Sequence, residues 1–120
     1  LPDSDRELAI LVTARAFDCP FEWAVHAPLA REVGINEDTL KATVDGDLDS
    51  LSDREVTIVR YGQELFGDHA VSQDTYDAAE SQFGPEGVVE LTATMGYYAM
   101  LACVLNAFEV VPAERTPFNS

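Results

Sequence analysis

The chain has 120 residues, 47% of them hydrophobic, with six Phe, four Tyr and one Trp, which is enough apolar mass for one domain around a single core. Twenty-two Asp and Glu against seven Lys and Arg leave a formal charge of −15, a field that repels phosphates and so argues against nucleic acid or an anionic membrane as a partner. Lys41 is the only lysine, and such an acidic, lysine-poor surface suits a high-salt cytoplasm.

Ser4-Asp5-Arg6-Glu7 has the form of a capping box, and Leu8, Leu11, Val12 and Ala16 follow at helical spacing, so a first helix is predicted over about residues 4–18, broken at Pro20. A second is predicted from Phe21 to about Val33, ended by Gly34, with Pro28 as an internal kink or early stop. Asn36 caps a third helix through Thr43, closed by Asp45-Gly46-Asp47. Ser52-Asp53-Arg54-Glu55 is another capping box, opening a helix to about Gly67, and Ser72 caps a fifth. The last helix starts after Gly84-Pro85, where a proline in the first turn is harmless, and runs to about Val110. No strict apolar/polar alternation persists, so the class is all-α, about six helices in one domain over residues 1–120, with Pro112 to Ser120 as a loose tail.

Leu91 to Phe108 is eighteen residues without a charge, the threshold length for a membrane span. Thr92, Thr94, Gly96, Asn106 and two tyrosines dilute it, and Glu90 and Glu109 flank it, so a buried helix is expected and no membrane partner. That helix is apolar nearly all round, with Leu101, Val104, Leu105 and Phe108 among its members, and one small domain has difficulty covering every side. A homo-oligomer is the economical expectation. No basic stretch precedes an apolar one as in a secretory leader, and the two cysteines, Cys19 and Cys103, are expected reduced in a cytoplasmic protein.

The chemistry concentrates in Cys19-Pro20-Phe21-Glu22-Trp23-Ala24-Val25-His26. Glu22 and His26 stand four apart, on one helix face about 5–6 Å apart at Cβ, so the carboxylate can orient or charge the ring for proton transfer; an ordinary structural pair has the same spacing. Cys19 reads either as a reactive thiol near His26 or as a small buried hydrophobe. Glu7 can relay protons from the first helix, although its place in the capping box accounts for it without function. Arg15 can anchor a substrate carboxylate or pair internally with Glu7, Asp18 or Glu22. His69, Tyr97, Tyr98 and Asn106 are further polar groups able to line a pocket. Histidines at ligand spacing and CxxC pairs are absent, so no metal site is expected. Serine hydrolase and phosphate-loop motifs are absent too.

Arg6-Glu7-Leu8-Ala9-Ile10-Leu11-Val12-Thr13-Ala14-Arg15, the segment Cys19 to Ala30, and Gly96-Tyr97-Tyr98 to Asn106-Ala107-Phe108-Glu109 together resemble the carboxymuconolactone decarboxylase-like family, the all-helical group that also contains alkylhydroperoxidase D. The resemblance covers most of the chain. The peroxidase branch of that family carries Glu, eleven residues, Cys, two residues, Cys, three residues, His; Glu7, Cys19 and His26 fall on its first, second and last positions, and Glu22 replaces the second cysteine. A carboxylate cannot close a disulfide, so the full dithiol cycle is missing, while a glutamate four residues before the histidine resembles the decarboxylase-like side. The resemblance implies a cofactor-free enzyme assembled as a trimer or hexamer. It points to proton-transfer chemistry on a small carboxylated lactone or related ring, with His26 moving the proton, Glu22 orienting it and Arg15 anchoring the substrate. A single-cysteine peroxide reductase using Cys19, His26 and Glu7 is the second expectation, and a non-catalytic oligomeric binder of a small ligand the third.

Overall fold

The computed structural model describes residues 1–119 and contains five helices: α1 (Asp3–Ala16), α2 (Pro20–Glu32), α3 (Glu37–Asp45), α4 (Asp53–Asp68) and α5 (Gln73–Ala107). Among the described residues there is no strand, only an isolated bridge between Thr116 and Asn119. Ser120, the end of the expected loose tail, lies outside the described residues.

α1 is the axis of the molecule. Its run Leu8 to Ala14 is buried without interruption, because α2, α4 and α5 pack around it and α3 touches its end. A helix enclosed on several sides needs apolar residues all round rather than a single stripe, which is what this run supplies. Gly62 lets α4 approach closely: a Cβ there would press into Val12 Cγ1 and crowd Met95 of α5. Asp18 in the left-handed region turns the chain after α1, and Cys19 becomes the N-cap residue of α2 with Pro20 in its first turn. α2 closes with the paired backbone bonds Ile35 N–H to Ala30 O and Gly34 N–H to Arg31 O, a Schellman ending.

The caps expected at Asn36, Ser52 and Ser72 form, and Ser52 with Glu55 makes the full reciprocal box. The box expected at Ser4 and Glu7 does not. Pro2 is the N-cap residue and its carbonyl accepts from Arg6 N–H, so the helix begins earlier and the Glu7 side chain is released to turn inward. Pro28 does not stop its helix, which continues to Glu32 with the proline exposed.

The expected fifth and sixth helices run together as one 35-residue element, α5, broken at Gly84 (φ 75°, ψ 168°) with Pro85 opening the second arm. Arg54 seats that break. Its Nη1 donates to Gln82 O, a carbonyl at the end of the first arm, while Nε and Nη2 donate to Asp5 and the guanidinium lies 4.6 Å over the Phe83 ring.

Two expectations about the C-terminal region change. The apolar stretch of α5 is long and apolar enough to cross a bilayer, but only 22% of that window is buried, so it is not the buried helix expected. Leu91, Met95 and Ala102 face the core, while Val89, Tyr97, Met100, Val104 and Phe108 stand exposed because α1 and α4 cover one side only. The tail is not loose either: it folds back so that the Phe118 ring meets Trp23 edge to face at 5.4 Å, and Asn119 Oδ1 accepts from Thr116 N–H.

Candidate active site

Three helices meet around the imidazole of His26. α1 supplies Glu7, α2 supplies Glu22 and His26 with Cys19 at its N-cap, and the second arm of α5 supplies Tyr97 and Tyr98. The decisive contact is between helices: His26 Nδ1 lies 2.9 Å from Glu7 Oε2, with the two side chains only 14% and 9% exposed. A carboxylate at Nδ1 selects the tautomer that donates there, which leaves Nε2 to accept or deliver a proton. The Tyr98 ring stands edge to face against the imidazole at 5.3 Å, and Tyr97 stands against Tyr98 at 5.2 Å.

Glu22 does not hold the imidazole as expected from its spacing. Both of its oxygens are buried with no hydrogen-bond partner, and the residue is 3% exposed. The ring has turned to Glu7 on the neighbouring helix instead. Burial of the unpaired carboxyl pushes its pKa up from 4.5 to about 7, so near neutral pH a large share of it carries its proton. A neutral carboxylic acid in an apolar site is a proton donor in waiting.

Cys19 is fully buried, and burial raises its thiol pKa, with the Glu22 charge pushing the same way. The backbone N–H groups of Glu22 and Phe21 oppose this at the start of α2, but burial is the larger effect. Tyr98 is also raised, by burial first and then by the charges of Glu7, Tyr97 and Glu22, with Arg6 opposing. Its hydroxyl therefore stays protonated as a donor. These mutual influences put Glu7, Glu22 and Tyr98 in one electrostatic neighbourhood, and Arg6 is the cation within its reach.

Arg15 is not brought to this cluster. Its Nε donates to Val44 O at 2.9 Å and its Nη1 to Asp18 at 2.6 Å, the internal pairing open to it from the sequence, and it lines a cavity of about 360 Å³ beside α3 and α4. Asn106 donates to Phe17 O, and His69 is the exposed C-cap of α4, so neither joins the site. Among the described residues, no three His, Cys, Asp or Glu side chains converge as a metal-binding group. None of five surface cavities on the monomer is lined by Glu7, Cys19, Glu22, His26 or Tyr98.

The sequence profile of the carboxymuconolactone decarboxylase family matches residues 1–64. The chain belongs to this family. The match runs from α1 through most of α4 and includes Glu7, Cys19, Glu22 and His26, while α5 with Tyr98 lies beyond it. Comparison with curated proteins and with solved structures gives no match. Membership fits the all-helical architecture and the cluster of acid/base groups on α1 and α2. Tyr98 was among the polar groups that the sequence offered for a pocket, and Arg6 is the residue near the site that the sequence alone did not single out. Arg6 sits next to Glu7 in the matched region, but no spacing rule joins it to a tyrosine 92 positions on.

Proposed function

We propose that this chain is a cofactor-free acid/base enzyme that decarboxylates or isomerises a small carboxylated lactone or related ring compound. The observation that carries the reading is the buried Glu7–His26 hydrogen bond, because it gives an imidazole a fixed tautomer beside a carboxyl that can hold a proton near pH 7. In a decarboxylation, the bond between the ring carbon and its carboxylate breaks, carbon dioxide leaves, and the electron pair remains on the ring as a dienolate. The Tyr98 hydroxyl stabilises the enolate oxygen, and a proton passes from His26 Nε2 to carbon. His26 enters the step as an imidazolium balanced by Glu7 and leaves it as the neutral tautomer protonated at Nδ1; a proton from neutral Glu22, relayed by water, restores Nε2, and Glu22 regains its own from solvent. Arg6, on exchanging its exposed partner Asp3 for the substrate, replaces Arg15 as the anchor for the substrate carboxylate.

The exposed apolar side of α5 completes the reading. A second copy of the chain seated there would cover Tyr97, Met100, Val104 and Phe108, next to Tyr98 of the site. The assembly is a trimer or hexamer, and light scattering measures it; partition onto vesicles in place of self-association would count against it.

The competing reading is a thiol peroxidase using Cys19, favoured by the backbone N–H groups of Glu22 and Phe21, which act to lower the thiol pKa at the start of α2. Burial and the adjacent carboxyl oppose the thiolate it needs. Both readings are tested together. Loss of the ultraviolet absorbance of carboxymuconolactone and release of carbon dioxide are followed in the parent, His26→Ala, Glu7→Gln and Cys19→Ser proteins. His26→Ala should lose on the order of 10² to 10⁴-fold in rate, Glu7→Gln less, and Cys19→Ser little. Peroxide consumption with dithiothreitol that is robust in the parent and abolished by Cys19→Ser would reverse the order of the two readings.

A further inference from the structure

We propose a second binding site, separate from the His26 cluster, for a small planar organic carboxylate in the groove between α2, α3 and the C-terminal segment. The groove encloses about 670 Å³, within the range of small-molecule pockets. Trp23 and Leu40 form its buried floor, and Pro28 and Pro117 its opposing walls.

Its charge is the unusual feature. Of the seven cations in the chain, Arg6, Arg15, Arg31 and Arg54 each hold a carboxylate in an ion pair. Lys41, Arg60 and Arg115 hold none among the described residues, and two of these three, Lys41 and Arg115, line this one groove. Arg31 also lines it but is held by Glu37 at 2.5 Å, and Glu114 lines the rim, so the groove carries a net charge of +1 in a chain of −15. One spare positive charge over an indole floor suits a monoanion with a flat apolar body. A polyphosphate would meet too few cations, and a cation would meet Lys41 and Arg115.

The wall is built rather than incidental. Phe118 packs on Trp23 and lies 5.7 Å from the Arg15 guanidinium, and the Thr116–Asn119 turn holds Pro117 over the groove. At about 100° per residue, Ala24, Pro28 and Arg31 fall on the side of α2 away from Glu22 and His26, and Trp23, about 60° from His26, stands at the edge between the two sides, so the two sites share α2 without sharing a lining residue.

Trp23 is the only tryptophan, so its indole N–H resonance in the full-length protein reports on the floor directly. Benzoate should move that resonance saturably with a millimolar dissociation constant, and benzamide, of the same shape without the charge, should bind about tenfold more weakly. The double variant Lys41→Gln, Arg115→Gln alters two exposed side chains and should also weaken benzoate about tenfold. His26→Ala should leave it unchanged. The proposal is overturned by no saturable shift, by benzamide binding equally well, or by unchanged affinity in the double variant. Loss of binding in His26→Ala would also overturn it, because the ligand would then sit in the catalytic cluster, and the acid/base reading would stand untouched.

Discussion

Replacing Glu22 by Gln should flatten the pH dependence of stability. The carboxyl is 3% exposed, neither oxygen has a partner, and burial alone carries its pKa from 4.5 to about 7. The folded chain therefore binds this proton more tightly than the unfolded chain does. For a carboxyl raised in this way, the stabilisation is complete below 4.5, declines as pH climbs and is gone above about 7. From 4.5 to about 7, at about 1.4 kcal/mol for each tenfold change in proton affinity, the loss is about 3 kcal/mol. That is a large part of the roughly 5–15 kcal/mol that holds a typical domain folded. Glutamine has nearly the same shape and nothing to titrate, so its own cost of about 1–3 kcal/mol for a buried unpaired amide is the same at every pH. Urea unfolding of parent and variant, at one protein concentration and several pH values from 4.5 to 8, isolates the effect, since the other acidic residues cancel in the difference. That difference should move by about 3 kcal/mol in the variant's favour as pH rises. If it stays constant to within about 0.5 kcal/mol, Glu22 does not titrate as a buried unpaired acid, and its assignment as the proton reserve fails with it.

Gly62→Val should destabilise by about 1–3 kcal/mol, read as a lower melting temperature, because the new side chain must displace Val12 and Met95 where α1, α4 and α5 meet. Val104→Asp, on the half-exposed apolar side of α5, should leave the helical circular dichroism intact and shift light scattering from an oligomer towards the monomer mass. Raising salt from about 10 mM to about 1 M should raise the melting temperature, since a shorter Debye length screens repulsion within a chain of charge −15; an unchanged or falling value would mean that ion pairs such as Arg54–Asp5 outweigh the net charge.

The helices were legible because their signals are local. Ser52 with Glu55, Asn36, Ser72 and Gly34 each act within four residues, and each did in the structure what its chemistry dictates. Ser4 and Glu7 show where locality misleads: the same pattern was outcompeted by Pro2 as N-cap residue and by a histidine 19 positions away. The site failed in the same direction. Four-residue spacing suggested Glu22 for His26, but a side chain on α2 chooses among everything packed against it, and α1 presented Glu7 at 2.9 Å. Arg15 was legible as the cation at the end of an apolar run and illegible in direction, since Val44 and Asp18 claim it at the C-terminal end of α1, about two turns from Glu7. The exposure of α5 was half visible. Its composition announced too much apolar surface, but which side stays open depends on where α1 and α4 lie.

The position of Glu22 ties these points together. In the peroxidase-like pattern that the sequence resembles, a thiol stands there, and a thiol can be buried at little cost because it is neutral over most of the pH range. A carboxyl in the same place can be buried without a partner only by keeping its proton, which is what burial imposes on Glu22. The exchange therefore alters two things at once. It removes the resolving sulfur that a dithiol cycle requires, and it introduces a group able to give up a proton near pH 7 beside the Glu7–His26 pair. Cys19 feels the same change, because a charged Glu22 raises its thiol pKa further. Loss of the Glu22 proton therefore makes Cys19 a poorer nucleophile, so one side chain bears on both readings of the site.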